Sequence, residues 1–87
     1  MEFTLFVKKT RKTSNRNIVG RRIRHARLQA KPPISQDDLA GRLARIGVSL
    51  DRSAISRIEN QDRYVMDYEL AAIAKCLKVS TEWLLTQ

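Results

Sequence analysis

Between residues 18 and 85 the apolar positions fall three and four apart, broken by short polar stretches, and this spacing predicts a succession of helices. From Ile18 onward Val19, Ile23 and Ala26 recur at helical spacing, with Asn15 or Asn17 placed to cap the start and arginines on the other face. Lys31-Pro32-Pro33 ends this helix, because proline cannot continue the hydrogen-bond ladder and forces its predecessor out of the helical region. Ser35 opens a second helix, with Asp37 and Asp38 in the first turn, where the helix dipole favours negative charge. Leu39, Leu43 and Ile46 mark its buried face, Ala40 lies beside them, and Gly47 is placed to end it. Asp51 caps a third helix through about Glu59, in which Ile55 and Ile58 point inward while Arg52, Ser53, Ser56 and Arg57 lie elsewhere. A fourth helix from about Asp67 buries Leu70, Ile73, Ala74 and Leu77, and Ser80 starts a short fifth one carrying Trp83 and Leu84. The predicted fold class is all-α, with short connections and no internal repeat.

Residues 1–14 stand apart from this pattern as an N-terminal basic arm, leaving residues 15–87 as the helical domain. The stretch Phe3-Thr4-Leu5-Phe6-Val7 is β-prone and runs into the polar segment Lys8 to Asn15. One reading wraps Lys8, Lys9, Arg11 and Lys12 around a duplex; another pairs Phe3, Leu5 and Val7 as a strand across a dimer; a third leaves the arm disordered.

The length of 87 residues fits one small domain, and 43% hydrophobic residues suit a folded core. A lone Cys76 forms no intramolecular disulfide, and with a single His25 no zinc-ligand cluster is expected. The longest apolar run, Leu70 to Ala74, is far shorter than a membrane helix, and no segment near Met1 reads as a signal peptide, so the cytoplasm is the expected location. The net charge of +8 is unevenly spread: residues 1–31 hold ten basic side chains and one acid, whereas residues 32–87 hold seven basic and eight acidic ones. That asymmetry points to a polyanionic partner. A membrane surface would demand bulky apolar groups opposite the charges, and Ile18, Val19, Ile23, Ala26 and Leu28 serve as readily in a core.

The predicted second and third helices form a pair joined by a glycine-containing turn, an arrangement that can hold one helix in a major groove while the other crosses the backbone. The residues are Ser35-Gln36-x-x-Leu39-Ala40, Gly47-Val48-Ser49, Ser53-x-Ile55-Ser56-Arg57-Ile58-Glu59-Asn60, and Leu70-x-x-Ile73-Ala74-x-x-Leu77-x-Val79-Ser80-x-x-Trp83-Leu84. From about Ile18 to Leu85 this text resembles the Cro and phage-repressor type helix-turn-helix family, also called the xenobiotic-response-element family. The resemblance implies a compact five-helix lambda-repressor-like domain that reads double-stranded DNA as a transcriptional regulator, with a homodimer spanning two half-sites.

By the same resemblance the third helix is the recognition helix. Arg52 and Ser53 would face base edges, with Ser56 and Arg57 further along, and an arginine there would favour guanine through paired bonds to O6 and N7. Gln36 would bond a phosphate and brace the recognition helix, Asn60 would contact phosphate, and Arg63 would add a phosphate or minor-groove contact. Glu59 would turn inward and pair with Arg27 of the first helix as a structural ion pair. Three features depart from the family pattern. Leu43 and Ile55 lie further apart than usual, the Lys31-Pro32-Pro33 loop is longer, and Gln61 stands where a glycine commonly follows the asparagine, so that the left-handed cap falls to Asn60 or Gln61 or is absent. Asp37 and Asp38 are explained by capping, no nucleophile or phosphate-loop motif is present, and neither an enzyme activity nor a cofactor or metal is expected. The alternative reading is a protein-interaction module, a co-activator bridge or antitoxin-like binder, that meets a protein partner through Trp83, Leu84, Leu85 and the arm.

Overall fold

Short polar side chains that mimic a backbone acceptor set where most of the helices begin. In the computed structural model, which describes residues 15–86, the chain forms α1 (Gly20–Gln29), α2 (Gln36–Arg45), α3 (Arg52–Glu59), α4 (Asp67–Leu77) and α5 (Thr81–Leu85), with no strand among the described residues. Ser35 Oγ accepts from Asp38 N–H at 3.0 Å, Asp51 Oδ1 from Ala54 N–H at 2.8 Å, and Ser80 Oγ from Trp83 N–H at 2.9 Å, so α2, α3 and α5 are capped as their sequences predict. For α1 the capping side chain is Asn17, whose Oδ1 accepts from the N–H groups of Val19 and Gly20, and not Asn15. At α4 the residue before the helix is Met66, and Glu69 reaches back to its N–H at 2.9 Å.

Three helices end by swinging one residue into the left-handed region. Gly47 does so after α2 (φ +85°), where its N–H bonds Ala44 C=O and Val48 N–H bonds Leu43 C=O. After α3 the residue is Gln61 (φ +64°), with Gln61 N–H on Ile58 C=O and Asp62 N–H on Arg57 C=O. Gln61 thus bears the cap that glycine usually supplies, at a steric cost of about 1 kcal/mol. Lys78 (φ 60°) plays the same part after α4. The connection over residues 46–51 absorbs the extra spacing between α2 and α3, and it is anchored by buried Leu50 and half-buried Val48.

Each helix buries one stripe against the others: Val19 and Ile23 from α1 and its lead-in, Leu39 and Leu43 from α2, Ile55 and Ile58 from α3, Ile73 and Leu77 from α4, and Leu84 from α5. α1 packs on α3, α4 and α5, while α2 packs on α3 and α4, so α3 is backed by two helices. Three expectations need correction. Ile46 is 44% exposed, because α2 stops at Arg45 and the chain turns before the next inward position. The first helix starts at Gly20, leaving Ile18 exposed, and Leu70 is only half-buried. The proposed arm and its β-prone stretch lie outside the described residues.

Candidate nucleic-acid interface

α3 is eight residues long and commits Ile55, Ile58 and Glu59 to the interior. Helical geometry then turns Arg52, Ser53 and Arg57 outward, where all three are exposed, with Ser56 half-buried between them. Among the described residues neither Arg52 nor Arg57 takes part in an ion pair or a side-chain hydrogen bond. Both guanidiniums are therefore uncommitted donors carried on a short, well-backed helix.

The last residue of α3 is held by a buried polar cluster. Arg27 Nε and Nη2 donate to Glu59 Oε2 and Oε1 at 2.8 and 2.9 Å, a bidentate pair whose side chains are 8% and 2% exposed. Arg27 Nη1 donates to Ile34 C=O at 2.9 Å, and Gln36 Nε2 donates to Glu59 Oε1 at 3.0 Å. The hydrogen bond with Glu59 raises the Arg27 pKa above its ordinary value, and the carboxylate's charge adds to it, against the opposing pull of burial. The Glu59 carboxylate thus joins α1, α2 and α3, and Arg27 extends the cluster to the lead-in to α2. The Gln36 amide has two N–H donors, of which one goes to Glu59, so it can brace α3 and still meet a second acceptor.

At the far end of α3, Asn60 is exposed and Arg63 is turned toward α4. Arg63 Nη1 donates to Glu69 Oε1 at 3.0 Å and to Tyr64 C=O at 2.9 Å, so its charge is already matched inside the fold. Burial pushes the Glu69 carboxyl up, but the Arg63 bond, the Met66 N–H and the Arg63 charge together outweigh it and hold the group below its ordinary value. A carboxylate with a lowered folded pKa contributes stability that is fully present above the unfolded value and is lost as pH falls through the folded one. Urea midpoints are accordingly expected to fall as pH drops below about 5, and to fall less steeply in Glu69→Gln; identical slopes in the two proteins would contradict the assignment.

Asn17 and Gln61 were not singled out as site residues in the sequence, yet they stitch the start of α1 to the end of α3. Asn17 Nδ2 donates to Ile58 C=O at 3.0 Å and to Arg63 C=O at 2.8 Å, Gln61 Nε2 donates to Asn17 C=O at 3.0 Å, and Arg16 N–H bonds Gln61 C=O at 2.9 Å. The partners are too remote in sequence for local pattern to signal them. Leu84 is fully buried, which withdraws it from any partner surface, whereas Leu85 is exposed and Trp83 half-buried. Burial pushes the Cys76 thiol above its ordinary pKa despite nearby Arg42, Lys75 and Arg45, as suits a side chain packed against the core. No helix of the described residues is long and apolar enough to cross a membrane. The chain matches no protein-family model, no curated protein and no solved structure.

Proposed function

We propose that this protein is a sequence-specific, double-stranded DNA-binding transcriptional regulator built on a lambda-repressor-like helix-turn-helix, and that it represses by occupying its operator. The observation that carries the reading is the outward set Arg52, Ser53 and Arg57 on α3, uncommitted within the fold, on a helix whose orientation is fixed by the Arg27, Glu59 and Gln36 cluster. In this reading α3 enters the major groove N-terminus first, and α2 crosses the backbone with Gln36 toward a phosphate. Asn60 adds a phosphate contact, while Arg63 reaches one only in competition with Glu69. A homodimer would place two copies of α3 in successive grooves about 34 Å apart on a pseudo-palindromic site.

Selection of bound sites from a random duplex pool tests this directly. A consensus containing guanine is expected, and Arg52→Ala should lose about 1–3 kcal/mol of discrimination at one position while leaving the others intact. A pool that yields no consensus, or the same consensus from a protein lacking both Arg52 and Arg57, would remove the reading.

A further inference from the structure

α1 carries a second cationic surface that α3 does not share. Along this helix Arg21, Arg24 and His25 are exposed and Arg22 is half-buried, and the helix contains no acidic residue. The Arg22 guanidinium lies over the Trp83 indole at 4.5 Å from the ring centroid, and the His25 ring is 6.1 Å from the same indole. Arg21, Arg22, His25 and Trp83 line an open cleft of about 470 Å³. A second cleft of about 430 Å³, whose apolar walls include Ala26, Leu77 and Val79, shares His25 and Trp83 with the first. Through these shared residues the two clefts adjoin as a groove along α1 beside α5, lined by Arg21 and Arg22 toward the start of α1 and by Ala26, Leu77 and Val79 toward its end.

The clustering is unfavourable for the isolated chain. Arg21 and Arg24 lie one turn apart, where like charges repel, and cations near the start of a helix oppose its dipole. Carboxylates docked on the groove would offset both. Duplex DNA offers phosphates but no side chain for the apolar end, and residues 1–14 of this chain, with four basic side chains and one acid, have the wrong sign. A peptide bearing carboxylates beside one bulky apolar group satisfies both ends at once.

We propose that the α1/α5 groove binds a short acidic segment of a partner protein, its carboxylates on Arg21 and Arg22 and one aliphatic or aromatic side chain beside Trp83. No residue of α2 or α3 lines the two clefts, so their lining is separate from the Arg52, Ser53 and Arg57 face of α3. A partner held there would be brought to whatever α3 binds.

The probe is a fluorescein-labelled synthetic peptide of Glu and Asp residues around a single Leu-Phe pair, titrated into the full chain and followed by anisotropy. Trp83 is the only tryptophan of the protein, so a change in its emission reports the groove independently. Saturable binding with an emission change is expected, weakened about tenfold or more by Arg21→Glu and about tenfold when Ser-Ser replaces Leu-Phe in the peptide. Lys75→Glu, an exposed reversal on α4, should have little effect, and circular dichroism would verify the fold of each variant. No binding, equal losses from the Arg21 and Lys75 reversals, displacement of the peptide by duplex DNA, or a dimer dissociated by Arg21→Glu would each overturn the proposal. Arg52→Ala is expected to leave peptide binding unchanged, so failure of the DNA reading and failure of this one are seen separately.

Discussion

Glu59→Ala is expected to lower the free energy of unfolding by about 3–5 kcal/mol. A small domain commands in total only roughly 5–15 kcal/mol, so urea midpoint and melting temperature should both collapse. The size of the effect comes from what remains: the Arg27 guanidinium, whose side chain is 8% exposed, would lose both carboxylate contacts and keep only Ile34 C=O, while Gln36 would lose its acceptor as well. Breaking such a pair is costly because an unmatched charge stays buried, and this does not mean that the pair itself contributes as much. The double variant Arg27→Met, Glu59→Leu is therefore expected to recover most of the loss. Equilibrium urea unfolding of the two proteins checks this; a single variant within about 1 kcal/mol of the parent would show that the cluster behaves as a solvated surface pair. If the proposed role of α3 holds, the recovered double variant should still bind a selected duplex less well, since Gln36 would no longer fix the helix that carries Arg52 and Arg57.

Local chemistry made much of this fold legible in the sequence. The caps at Ser35, Asp51 and Ser80 depend on an oxygen within three residues of the N–H it accepts from, and the stop at Gly47 depends on one residue's freedom at positive φ. The Arg27 and Glu59 pair, expected from resemblance alone, is also present. The spacing of Ile46 continues the apolar stripe of α2, but periodicity does not say where a helix stops, and this residue lies beyond the end. The resemblance gives Arg63 a phosphate or minor-groove contact, and its internal partner Glu69 is not legible because the two meet only after the non-helical stretch before α4 has turned back. The groove on α1 was equally hidden. In the sequence its arginines read only as general basic character, and it is the packing of α5 against α1 that sets Arg22 over an indole.

Gly20→Ala is expected to destabilise the protein by about 2 kcal/mol, although alanine is the better helix former by about 1 kcal/mol. A Cβ at this position would press into the carbonyl oxygen of Ile58 and lie 2.9 Å from that of Glu59. Both obstacles are backbone at the end of α3, and Ile58 C=O already accepts from Asn17, so neither can swing aside as a flexible side chain would. Relief requires α1 and α3 to separate, and overpacking of this kind costs about 3 kcal/mol, outweighing the gain in propensity. Gly41→Ala is the internal control: it lies exposed within α2 with nothing within 4 Å of the added methyl, so only the propensity gain should be felt. Thermal melts should thus move in opposite directions, downward by about 8–16 °C for Gly20→Ala and upward by about 4–8 °C for Gly41→Ala. If both variants melted above the parent, α1 and α3 would have to cross less closely than the geometry requires. Because the same contact sets the angle at which α3 leaves the core, a Gly20→Ala protein that remains folded should also read its selected duplex with reduced discrimination at the positions assigned to Arg52 and Arg57.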